Sequence, residues 1–277
     1  MKVVGKGTET YLFLNGISTS KEILLREGVY LVPLTGDFNC EKVSNLLKND
    51  VDYAVAAVSG RTIAAQIRIN AVDEKQLTIS VWNSLWDCIL LGALFQCEVM
   101  GNLQCDMPIE KLEKAEFIHI TNYAFRAILS EPYCLKDDDI VWMLHNYSAA
   151  YKMLEQEPFR IAVHALSSYR WHSLPRVQLA VIWSGIEALF EANYEISFRI
   201  SLYITNFLSG HNSTEAKELF KRTRELYSSR SAAVHGGKIK GDINILVSES
   251  ASLLNQIIKR CAELRKLPDI DNLVFPW

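Results

Sequence analysis

The sequence has no excess of positive charge and no long uninterrupted apolar run. Its 277 residues carry a formal net charge of -3 at pH 7, which excludes a protein that coats nucleic acid through bulk charge. The longest apolar run, CILLGALF from Cys88 to Phe95, is too short to span a bilayer. We therefore expect this run to be buried and the protein to have no membrane partner. Contact with nucleic acid would need a local basic patch.

Paired cysteines and phosphate-binding loops are also missing. The six cysteines are scattered, with no CxxC spacing and no Cys/His cluster, so we expect no metal site. Free thiols without a secretory signal favour a cytoplasmic protein. The chain has no GxxxxGK[ST] motif, and we expect no cofactor. The acidic residues 137–139 indicate the first turn of a helix rather than a cation site.

The sequence has two parts that differ in the spacing of their apolar residues. Residues 1–135 mix short apolar runs with alternating segments, which predicts an α+β domain. Its role is unknown from the sequence, and sensing, regulation and positioning are all open. Asn39 is placed to cap a short helix that ends near Leu47. A helix is favoured over residues 84–96. The predicted strands cover residues 11–17, 30–36, 51–60, 62–70, 76–82 and 116–121.

In residues 136–277 the apolar side chains recur at helical spacing, which predicts an all-α helical bundle. Pro158 and Pro175 suit first helical turns, and Ser213 suits an N-cap. Gly236 and Gly237 are typical of a helix end. The predicted helices cover residues 140–154, 158–171, 175–190, 196–208, 214–235 and 244–265.

The stretch RSAAVHGGK, residues 230–238, ends the fifth predicted helix within a basic segment. Residues 217–240 contain seven positive and two negative side chains. Such an excess can bind phosphates and makes binding depend on salt. A solvated helix face with cations near its C-terminus has the same pattern. The cations that we expect to contact phosphates are Lys221, Arg224, Lys238 and Lys240.

Arg230 and His235 do not share one face of a straight helix. Arg230 continues an apolar series that includes Tyr227, so it faces the bundle or a partner chain, where arginine needs an anionic partner. Glu187 and Glu191 are candidates for that ion pair. Five helical positions leave the side chains of Arg230 and His235 about 140° apart. They converge only if the helix ends or distorts at the glycines or if a second copy lies opposite; otherwise His235 caps its own helix.

The spacing of Arg230 and His235 resembles the RxxxxH motif of HEPN domains, and RSAAVHGGK after ELYSS is similar to the Apea-like group of that family. VQLAVIWSGIEALFE (177–191) and FRISLYITNFL (198–208) resemble the two helices that precede the motif in that group, so the resemblance covers roughly residues 138–266. It implies a metal-independent endoribonuclease that acts as a homodimer. His235 would take the proton of a ribose 2′-hydroxyl, and Arg230 would hold the scissile phosphate. Ser231 would add a hydrogen bond to the phosphate, although a serine near a helix end needs no such role, and the product would be a 2′,3′-cyclic phosphate.

Two functions remain open from the sequence. The resemblance implies a cytoplasmic RNA-cleaving toxin or anti-phage effector, with RNA, a second copy and an antitoxin or regulatory protein as partners. The alternative is a non-catalytic HEPN module that binds RNA, a nucleotide or a protein, with Arg230 paired to an internal glutamate. The intact motif favours the first. The acidic overall charge and the different faces of Arg230 and His235 favour the second.

Overall fold

The computed structural model describes residues 3–124, 131–190, 196–209 and 213–274. The chain divides into two compact units, Met1–Ser148 and Ala149–Trp277. In the described residues, the first unit combines strands with helices, whereas the second contains helices and connecting segments only. The predicted order of an α- and β-containing part followed by a largely helical part is therefore confirmed.

The first unit is built on a six-stranded antiparallel sheet with the order β3-β4-β5-β1-β6-β7. β1 lies inside the sheet, and all of its residues after the first are buried. A short parallel pair, β2 with β8, forms a second sheet. The strands are β1 (Glu9–Asn15), β2 (Ile17–Ser18), β3 (Ile23–Arg26), β4 (Val29–Pro33), β5 (Ile63–Asn70), β6 (Met100–Cys105), β7 (Ile118–Ile120) and β8 (Tyr133–Cys134).

Both faces of β1 are covered, because its alternate side chains are all buried. Tyr11 and Phe13 pack with α1 (Asp50–Gly60) in one apolar cluster. The long helix α2 (Glu74–Phe95) packs against β1, β5 and β6. Among the described helices, only α2 is long and apolar enough to cross a membrane, and most of its apolar stretch is buried inside the first unit.

Two strand predictions are wrong, since residues 51–60 and 76–82 form α1 and part of α2. Each helix begins at a side chain that caps it: Asn49 accepts a hydrogen bond from the backbone of Asp52, and Asp73 accepts one from Gln76. In α2 the buried positions Leu77 and Val81 are four residues apart, which is helical spacing. The predicted helix over 84–96 is confirmed as the continuation of α2, and the capped turn after Asn39 is a 3₁₀ helix, Cys40–Leu46.

A buried polar cluster joins α2 to the helix α3 (Asp137–Met153). Asp87 of α2 is fully buried and accepts hydrogen bonds from Arg26 at 3.1 Å and from the Tyr147 hydroxyl at 2.9 Å. Burial raises the pKa of Asp87, and the charge of Arg26 opposes that rise. Tyr147 lies in the first unit, which extends past residue 135 to Ser148.

The second unit is centred on Trp183, which is fully buried. Its indole nitrogen donates to the Ser250 hydroxyl at 3.1 Å, and its ring meets Tyr227 edge to face with centroids 5.2 Å apart. The predicted helices are confirmed to within a few residues, with one further short helix at the end. The helices are α4 (Glu157–Ser168), α5 (Pro175–Phe190), α6 (Ile196–Ser209), α7 (Ser213–Val234), α8 (Ile243–Leu264) and α9 (Ile270–Val274).

Candidate functional site

The candidate site lies at the C-terminal part of α7, where the RSAAVHGGK stretch closes the helix. His235 still donates its backbone N–H to the Ser231 carbonyl at 3.0 Å, so the helical hydrogen bonding continues through His235. Gly236 follows with φ +74°, a left-handed conformation that glycine adopts without strain. The helix therefore ends at the predicted place, but its distortion comes only after His235.

Arg176, at the start of α5, holds this helix end in place. Its guanidinium donates to the Ala232 carbonyl at 3.0 Å and to the Gly237 carbonyl at 3.0 Å. A cation at this position satisfies carbonyls that have no partner inside the helix and interacts favourably with the helix dipole. Sequence reasoning missed Arg176, because nothing in its local sequence shows that it reaches residues more than fifty positions away.

Arg230 faces the bundle and forms an ion pair with Glu187. The guanidinium donates to the Glu187 carboxylate at 2.7 Å, and the two side chains are only 20% and 28% exposed. The guanidinium also lies 5.7 Å from the centre of the Tyr227 ring. Burial raises the pKa of Glu187, while the charge of Arg230 opposes the rise. The prediction of Glu187 as a partner is confirmed, whereas Glu191 lies outside the described residues.

His235 is exposed, and Ser231 is partly exposed. In the part of the chain that the structure describes, no hydrogen bond or ion pair engages the His235 imidazole. Because the helix continues to His235, the five-residue spacing still leaves this side chain about 140° from Arg230. A single chain therefore does not assemble Arg230 and His235 into one pair around a phosphate.

A groove of about 840 Å³ lies along α7, and Arg230 does not line it. Lys221 and Arg224 line it from the helix, and Lys238 and Lys240 line it from the segment between α7 and α8. The structure thus places all four predicted phosphate-binding cations on one concave surface. His235 does not line the groove. By helical periodicity its side chain points to the same side of α7 as Arg224, eleven positions earlier.

The charge of the groove is strongly positive once its ion pairs are counted. Arg222 also lines the groove, but it is engaged by Glu225 and by Glu249. Among the described residues, Glu225 and Glu249 pair with no other cation. Within the described ranges, Lys221, Arg224, Lys238 and Lys240 form no ion pair. Four cations without counter-charges in one groove attract an extended anion such as a nucleic-acid backbone.

No three His, Cys, Asp or Glu side chains of the described residues are grouped as ligands of a metal ion. Comparisons with protein-family models, with curated proteins and with solved structures found no match for the chain. We therefore infer function from the geometry and charge of the second unit.

Proposed function

We propose that the second unit binds RNA in the groove on α7, and that its helices form a HEPN-like bundle. The observation that carries this proposal is the convergence of Lys221, Arg224, Lys238 and Lys240, each without an ion-pair partner among the described residues. Lysine and arginine side chains release condensed counterions when they neutralise phosphates, which supplies most of the affinity of such surfaces.

The distribution of charge along the chain supports the same location. The first unit contains 19 acidic and 13 basic side chains, whereas the second contains 13 acidic and 16 basic side chains. The acidic overall charge therefore comes from the first unit. It does not weigh against nucleic-acid binding by the second, whose groove concentrates the positive charge.

The Arg230–Glu187 pair favours a binding module over a single-chain catalyst. Breaking the pair would leave a partly buried carboxylate or guanidinium without its counter-charge, which is costly. We propose that Arg230 holds α7 against α5, so that the groove cations and the helix end keep their positions. The resemblance of the stretch around Arg230 and His235 to HEPN motifs supports RNA as the ligand.

Hydrogen–deuterium exchange tests the location. Residues 238–242 lie between α7 and α8, outside both helices, so their amides exchange quickly in the free protein. We expect an RNA oligonucleotide to slow exchange in this segment, because Lys238 and Lys240 would be covered. Slower exchange confined to the first unit, with residues 238–242 unchanged, would contradict the proposal.

A second candidate is RNA cleavage, and the exposure of His235 on the groove side of α7 favours it. A neutral imidazole there can accept the proton of a 2′-hydroxyl of RNA held by the groove cations. Since one chain turns Arg230 away from its own His235, this candidate needs a homodimer to complete the pair. The antitoxin or regulatory partner expected from the resemblance belongs to this candidate as well.

RNA incubation in the presence of EDTA separates the two candidates. Cleavage that resists EDTA in the wild type and is lost in both Arg230→Ala and His235→Ala would support a HEPN-type nuclease. Circular dichroism checks that Arg230→Ala, which removes the partner of Glu187, still folds. Equal cleavage by the three proteins, or none by any of them, would overturn cleavage by Arg230 and His235. RNA binding that persists in all three would leave the binding function standing.

A further inference from the structure

The groove has an aromatic surface beside it that the phosphate contacts do not use. Phe220 of α7 lines the groove, and Phe198 of α6 meets it edge to face, with ring centroids 5.7 Å apart at 77°. Phe198 is 49% exposed, and its neighbour Ser197 also lines the groove. An exposed aromatic ring beside a positively charged groove is a recurrent feature of surfaces that bind unpaired nucleotides.

Cations flank this aromatic pair. The Arg224 guanidinium lies 5.8 Å from the centre of the Phe220 ring, and Lys221 is the next residue along α7. Both cations line the groove. A nucleotide whose phosphate contacts Lys221 or Arg224 would therefore have its base beside Phe198 and Phe220. Guanidinium groups also stack on bases, so Arg224 can contribute on either side of the nucleotide.

We propose that Phe198 and Phe220 form a base-stacking subsite, and that the groove therefore takes single-stranded RNA in preference to duplex RNA. This inference rests on the proposed RNA-binding function and deepens it. In a duplex each base is stacked between its neighbours, so its faces are not available to a protein ring. An unpaired base offers both of its flat faces to a protein ring. Because all four bases have such faces, the subsite tolerates any sequence.

A protein side chain is the alternative partner for the exposed Phe198 ring. An RNA base and a protein side chain differ in shape and chemistry, so variants of Phe198 can distinguish them. Stacking needs a flat aromatic partner, whereas an apolar contact with a protein is served by any side chain of similar size. Phe198→Leu keeps the apolar character and removes the flat ring. The variant should therefore bind RNA as poorly as Phe198→Ala.

The test measures the fluorescence anisotropy of labelled RNA with the full chain. The ligands are a single strand, a strand of equal length that has no bases, and a duplex of equal length. We expect Phe198→Ala to weaken binding of the single strand about 5- to 150-fold. It should leave binding of the strand without bases unchanged. Ile161→Ala is the matched control, since Ile161 is an exposed apolar side chain of α4 that does not line the groove.

The outcomes separate this inference from the function on which it rests. If replacement of the groove lysines weakens binding but Phe198→Ala and Phe198→Leu do not, the stacking subsite is wrong and RNA binding stands. If duplex and single strand bind equally well to the wild type, the preference for single strands is likewise overturned. If neither the lysines nor Phe198 affects binding, both proposals fail.

Discussion

Replacing Lys221, Lys238 and Lys240 together with glutamine is expected to weaken RNA binding about 100-fold at 0.1 M salt. Each cation that contacts a phosphate of a single strand contributes roughly 0.7 to the exponent with which affinity falls as salt rises. Three lost contacts therefore remove about two powers of ten at this salt concentration. Fluorescence anisotropy of a labelled RNA strand measures the loss. Glutamine keeps the length and polarity of these side chains, so we expect the helices to remain.

The matched control replaces three lysines elsewhere in the second unit, Lys152, Lys259 and Lys266. Their replacement changes the net charge of the chain by the same amount, but these three lysines do not line the groove. We expect the control to bind RNA several-fold more weakly at most, since only long-range attraction is lost. Equal losses in the two triple variants would mean that total charge, and not the groove, determines affinity.

Asp87→Ala is expected to lower the free energy of unfolding of the first unit by about 3 kcal/mol or more. Asp87 is fully buried, and its carboxylate accepts from both Arg26 and Tyr147. The alanine variant removes the negative charge that offsets the mostly buried guanidinium, and it leaves the buried Tyr147 hydroxyl without this acceptor. Breaking one side of a buried ion pair has a cost of this size. Urea unfolding followed by circular dichroism measures it.

Glu116→Ala is the control for that experiment. Glu116 pairs with Lys6 at 2.6 Å, but both side chains are mostly exposed, and exposed pairs of this kind contribute little to stability. We expect the unfolding midpoint of Glu116→Ala to match that of the wild type. If Asp87→Ala unfolds at the wild-type urea concentration, the buried cluster does not stabilise the first unit as its geometry indicates.

The sequence predicts those features whose causes are local or periodic. The end of α7 follows from Gly236 and Gly237, and the series through Tyr227 correctly places Arg230 on the bundle face, where Glu187 pairs with it. The groove cations follow from the density of positive charge along residues 217–240. Helical geometry alone also predicts that Arg230 and His235 point in different directions.

The remaining features depend on contacts between distant segments. In residues 76–82 the alternation of polar and apolar side chains favoured a strand, although the cap at Asp73 begins a helix that buries Leu77 and Val81 against the sheet. Asp73, as a capping residue, indicates the start of a helix, but the alternation over residues 76–82 indicates a strand and was the stronger of the two patterns. Arg176 and Phe198 gave no such signal, because each acquires its role only when another helix packs beside it.

The most direct test of RNA binding by the groove is the salt dependence of affinity in the wild type and in the triple variant of Lys221, Lys238 and Lys240. We expect a plot of the logarithm of the affinity against the logarithm of the salt concentration to be shallower for the variant by about two units of slope. The control triple variant should keep the wild-type slope. Parallel lines for the wild type and the groove variant would show that these lysines do not contact phosphates, and would contradict the proposed function.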